Sequence, residues 1–75
     1  MINAQETKRL LKEFVWDCYS FWGNELETDD DSAVWPRVIE DLQCVTHNPF
    51  SPKGDLLDED AKAEFIKNLK LDLGL

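Results

Sequence analysis

Starting at Asn3, apolar residues recur at intervals of three and four: Leu10, Leu11, Phe14, Val15, Cys18, Phe21, Trp22 and Leu26. At 100° per residue they fall within an arc of roughly 160°, one broad apolar face of a helix. Asn3 followed by Glu6 has the spacing of a capping box, in which each side chain satisfies a backbone N–H of the other residue. The pattern predicts a first helix over about 4–26, with Gly23-Asn24 near its end. Val34, Trp35, Val38, Ile39, Leu42 and Val45 share a second face. They predict a helix over about 33–46, capped by Asp31 or Ser32, with Pro36 in an early turn where a missing N–H is tolerated.

His47-Asn-Pro-Phe-Ser-Pro-Lys-Gly54 breaks the periodicity and reads as a loop. Leu56 and Leu57 then precede three acids, Asp58, Glu59 and Asp60, which suit the positive end of a helix. Ala61, Phe65, Ile66 and Leu69 complete a third apolar stripe and predict a helix over about 58–70. In the tail, 71–75, Leu71, Leu73 and Leu75 alternate with Asp72 and Gly74. That spacing suits an extended segment or a short strand offered to a partner. Three amphipathic helices are most simply satisfied by an all-α three-helix bundle, one domain over 1–75, with no sheet and an acidic loop between helices one and two.

With 75 residues, the chain has room for one domain and none for a deep substrate cavity. Eight aromatic side chains set it apart from a disordered acidic tail. Sixteen acidic residues against eight basic ones give a net charge of −8. That excess argues against direct binding to nucleic acid or to an anionic membrane, because each phosphate contact requires a cation. A partner recognised by charge should be basic. No cofactor motif, nucleotide loop or catalytic signature is present. The N-terminus enters a helical pattern at once, no apolar run is long enough to span a bilayer, and two cysteines allow at most one disulfide. A reduced, cytoplasmic protein is the expectation.

The sharpest feature is Glu25, Glu27, Asp29, Asp30 and Asp31, five acids with no base among them. Glu13 and Asp17 on the first helix are candidates to extend the set. Read plainly, the stretch is a solvated connector ending in a helix cap. Read for function, its carboxylates imitate a phosphate backbone and occupy a nucleic-acid-binding groove on a basic partner. A calcium loop fails on its template: counted from Glu27, the sixth and twelfth positions are Ser32 and Val38 instead of Gly and Glu. Trp16 and Tyr19 lie off or at the edge of the apolar arc, so they are either interface anchors or aromatics covered by the third helix or the tail. Trp22 and Trp35 sit on apolar faces and are assigned to the core, as is the Cys18 thiol.

Cys44 and His47, three apart, would share one side of a helix. They lack the further ligands a zinc site requires and the oxyanion pocket a nucleophile requires. Asn48-Pro49-Phe50 matches an adaptor-binding tripeptide, and Ser51-Pro52-Lys53 a proline-directed phosphorylation site. Both recur by chance and are read as turn chemistry.

The resulting expectation is a non-enzymatic, acidic protein-binding module. In its sharper form it is an inhibitor that competes with nucleic acid for a partner's groove, as a small regulatory or phage-borne protein would. The alternative is a self-associating structural protein, a homodimer paired through Leu71, Leu73 and Leu75 with Trp16. A divalent-metal loop protein ranks third.

Overall fold

The computed structural model describes all 75 residues and contains three helices: α1 over Ala4–Glu25, α2 over Asp31–Cys44 and α3 over Glu59–Leu73. No strand forms; one isolated antiparallel bridge joins His47 to Leu56. The all-α bundle expected from the pattern is therefore the fold.

Asn3 Oδ1 accepts the Glu6 N–H at 2.8 Å and opens α1. Only half of the capping box is made, because the Glu6 carboxylate turns to Arg9 instead. At 22 residues α1 is about 33 Å long. It therefore spans nearly the whole 35 Å length of the molecule.

α2 departs from expectation at both ends. Its cap is Asp30, whose Oδ1 accepts the Ser32 N–H at 3.0 Å and the Ser32 hydroxyl at 2.7 Å, and the helix starts at Asp31, two residues early. It stops at Cys44, since Val45 has extended backbone. Pro36 is then the sixth helical residue, beyond the first turn. Its missing N–H leaves the Ser32 carbonyl without an intrahelical partner on an exposed face, where water can bind it.

α3 corrects the reading of the tail. The helix continues to Leu73, and Gly74 takes the left-handed conformation at φ 73°. The Gly74 N–H reaches the Leu71 carbonyl at 3.2 Å and the Leu75 N–H reaches Lys70 at 2.9 Å, a Schellman closure. Leu71 and Leu73 belong to the last helical turn, not to an extended segment.

Thr7 Oγ1 accepts the Asp58 N–H at 3.0 Å, Lys8 pairs with Glu64 at 3.4 Å, and Trp16 shares a cleft with Asp72. Contacts that advance together along both helices make α1 and α3 parallel. α2 crosses α1 near its C-terminal third, where Trp22 Nε1 donates to Asp41 at 2.7 Å and the Tyr19 and Trp35 rings lie 5.0 Å apart. The core between the helices is Leu10, Leu11, Cys18, Val34, Val38, Ile39, Leu42, Leu57 and Ile66. Phe21, expected on the buried face, is 52% exposed. α3 runs along the flank of α1 that carries Lys8, Lys12 and Trp16, about 140–180° around the helix from Phe21, so Phe21 at the other edge of the apolar arc has no lid. Trp22 and Trp35 are half-buried at the edge of the core rather than inside it.

Candidate functional site

The α1–α2 turn is built by its own polar side chains. Thr28 Oγ1 accepts the Asp30 N–H at 3.1 Å, the Thr28 N–H reaches back to the Gly23 carbonyl at 3.4 Å, and Glu27 sits at φ 49°, a left-handed conformation uncommon for a side chain of its kind. The turn holds all five acids of 25–31 at the surface. Two of them have structural employment. Asp30 caps α2, and these bonds to Ser32 hold its carboxyl below the usual range. Asp31 begins α2 at the favourable end of the dipole and accepts the Tyr19 hydroxyl. Glu25, Glu27 and Asp29 make no side-chain hydrogen bond and no ion pair. The molecule's ion pairs lie elsewhere, at Lys8–Glu64 and at Arg9 with Glu6 and Glu13.

Glu13 is thus committed to Arg9 at 3.1 Å, and it adds little free charge to the acidic end. Asp17 is exposed on α1, about 200° around the helix from Tyr19, and stands apart from the turn. Tyr19 is brought to it. Its hydroxyl bond to Asp31, burial and the nearby charges of Asp31 and Asp29 all push the phenol above its ordinary range. Its ring tilts at 49° against Trp35, so α2, not the third helix or the tail, covers it.

Trp16 is 72% exposed. With Val15, Tyr19 and Trp35 it lines a small, wholly apolar cleft of about 260 Å³. Its other side borders a cleft of about 470 Å³ against Phe65 and Leu69 of α3, with Lys8 and Lys12 at the rim. Trp35 is the member that sequence reasoning missed. The available signal was its place four residues after Asp31, on the same side of α2 as the Tyr19 partner.

Cys44 and His47 do not share a helix. α2 ends at Cys44, while His47 lies in the bridge with its Nδ1 3.5 Å from Thr46 Oγ1. Asn48 and Ser51 shape the loop: Asn48 Oδ1 accepts the Phe50 N–H at 2.9 Å and the Ser51 hydroxyl donates to Asp55 at 3.1 Å. Cys18 is buried, and burial, followed by the charges of Asp41 and Asp17, pushes its thiol up to about 11. No three His, Cys, Asp or Glu side chains converge where a metal ion would sit. No helix is long and apolar enough to cross a membrane.

The class defined by this fold is a small all-helical bundle with an acidic end and an exposed aromatic cleft. No protein-family model matches the chain, and neither a curated protein nor a solved structure shows detectable similarity to it.

Proposed function

We propose that the chain is a non-enzymatic, cytoplasmic protein-binding module that presses its acidic α1–α2 end onto a basic partner surface. In the sharpest form of this reading, that surface is a nucleic-acid-binding groove, and the protein inhibits or regulates its partner by standing in for the phosphate backbone. The observation that carries the reading is the junction of two unsatisfied surfaces. Glu25, Glu27 and Asp29 are exposed with no cation of their own, and the turn that carries them meets the aromatic cleft of Trp16, Tyr19 and Trp35 where Asp31 accepts the Tyr19 hydroxyl. Uncompensated charge supplies encounter rate and selects the sign of the partner, while a desolvated tryptophan supplies affinity. Charge alone would bind weakly and yield to salt.

The test is capture of partners from host lysate at low and high salt by the parent, by a Glu25→Gln/Glu27→Gln/Asp29→Asn variant and by Trp16→Ala. Asp30 and Asp31 stay in place because they hold α2 and Tyr19. The expected result is one basic nucleic-acid-handling protein, retained at low salt, weakened by salt and lost in both variants, and displaced from its nucleic acid by the parent. Equal capture by the triple variant, with the fold intact by circular dichroism, would sink the proposal.

A further inference from the structure

The largest concavity of the molecule, about 710 Å³, lies on the other side of α3, against the end of α2. Ala63, Ile66, Leu71 and Leu75 form its apolar floor, and Leu71 and Leu75 are 68% and 61% exposed. Lys62, Lys67 and Lys70 rim it, with Glu59 at the far end. The Lys62 ammonium is committed, donating to the carbonyls of Gln43 at 3.0 Å and Val45 at 2.7 Å. Lys67 and Lys70 have no carboxylate partner. Three of the eight basic residues of a chain with net charge −8 therefore surround one apolar groove.

Such a groove fits an apolar knob flanked by carboxylates, and the chain displays one. Phe21 projects from the last turns of α1, half exposed, with Asp17 four residues before it and Glu25 four after. Helical spacing puts each of those carboxylates on the same stripe, about 5–6 Å from Phe21 measured between Cβ atoms. Neither makes an ion pair within the molecule.

We infer that the protein self-associates head to tail, the Asp17–Phe21–Glu25 stripe of one copy entering the Lys67–Lys70 groove of the next. Symmetric pairing through the leucine-bearing face of α3 would leave the Asp17–Phe21–Glu25 stripe without a partner. Leu71 and Leu75 line this groove and not the cleft that Trp16 borders, so the two are separate concavities. Because donor and acceptor surfaces differ, the contact is heterologous and extends beyond a dimer unless a ring closes. Like net charge opposes association at very low salt. The contact forms where salt screens the long-range repulsion, at a Debye length of about 8 Å, more than it screens ions in contact. It shares Glu25 with the acidic end but not Glu27, Asp29 or the Trp16 cleft, and it does not depend on the proposed function.

The experiment is sedimentation velocity of the full chain from micromolar to millimolar concentration at physiological ionic strength. It uses the parent, a Phe21→Ala variant and a Lys67→Glu/Lys70→Glu variant, each confirmed helical by circular dichroism. The parent should grow past dimer with concentration, and each variant alone should associate at least tenfold more weakly. Mixed, the two variants should form a one-to-one complex and stop there, because each retains the surface the other lost. A parent that stays monomeric throughout, association that survives Phe21→Ala, or a mixture that does not pair would each overturn the inference.

Discussion

Asp58 joins two elements through separate atoms. Its side chain accepts the Ala61 N–H at 3.0 Å and caps α3, while its own N–H donates to Thr7 Oγ1 at 3.0 Å and ties that cap to the first turns of α1. Ala61 is 3% exposed and Thr7 is fully buried, so water cannot readily replace either bond. Replacing Asp58 by Ala should cost about 1–2 kcal/mol, the upper part of the range for a lost cap, because the Ala61 N–H is left with no solvent to turn to. A chain of this length has about 4–11 kcal/mol of stability in total. At about 4–8 °C per kcal/mol for a domain of this size, the melting temperature should fall by roughly 4–16 °C. Asp58→Asn keeps an acceptor oxygen and should lie within about 0.5 kcal/mol of the parent. Thr7→Val preserves volume, removes the second acceptor and should cost about 1 kcal/mol on its own. Since the two bonds fix one residue, the double variant should cost measurably less than the two singles added together. Urea and thermal unfolding followed at 222 nm give all four values. If Asp58→Asn loses as much as Asp58→Ala, the helix dipole and not the hydrogen bond carries the effect. If Asp58→Ala is indistinguishable from the parent, the joint has no energetic role and the reasoning fails.

The chain has one tyrosine, so its ultraviolet titration reports Tyr19 alone. The midpoint should lie above the ordinary value and return toward it in Asp31→Asn, because the carboxylate bond is the main cause of the shift. A folded value above the unfolded one means that this contact contributes fully below the usual tyrosine range and is lost as pH rises through the folded value. Alkaline stability should therefore fall there, and less steeply in the variant. A thiol reagent at mildly alkaline pH should label the exposed Cys44 quickly. The buried Cys18, its thiol raised to about 11, should wait for unfolding, and equal rates in the native protein would contradict its burial. Leu42→Ala, at a fully buried position, should cost about 2–5 kcal/mol, a large share of the total, whereas a loss below about 1 kcal/mol would mean that α2 repacks.

The existence of all three helices was legible because each apolar stripe is long compared with its period. The errors are local and have local causes. Asp29-Asp-Asp-Ser32 contains several equivalent caps, so propensity cannot choose among them; in the fold, Tyr19 holds Asp31 inside the first turn and Asp30 becomes the cap. Three leucines spaced by two are too few to tell a strand from a helix. The stop signals, Lys70 in the last turn and Gly74 beyond it, gave the better reading of the tail. A helical wheel placed Trp16 correctly off the core but buried Phe21 wrongly. The wheel does not say which part of an apolar arc its neighbours cover; Phe21 stands at one edge of the arc and α3 packs on the other flank of α1. The acidic stretch was visible as composition, but which acids are free became legible only once Asp30 and Asp31 acquired partners.

Those free acids oppose the fold that carries them. Glu25 occupies the last turn of α1, where the dipole is negative and no basic residue offsets it, a placement that costs about 0.3–1 kcal/mol. Glu27 holds a left-handed backbone at φ 49° where a glycine would be unstrained, at a cost of about 1 kcal/mol. Within a total of about 4–11 kcal/mol these are appreciable, and neither residue makes a contact that offsets its cost. If the acids serve a partner, a Glu25→Lys/Glu27→Gly variant should be more stable than the parent by about 1 kcal/mol, the two effects adding only in part because neighbours in one turn couple, and should bind the captured partner more weakly. Urea unfolding and a binding titration on the same preparations read both quantities. A variant that gains stability and keeps full affinity would show that these carboxylates are only a solvated connector. A variant that gains no stability would show that the turn already tolerates them, and their presence would then call for no functional explanation.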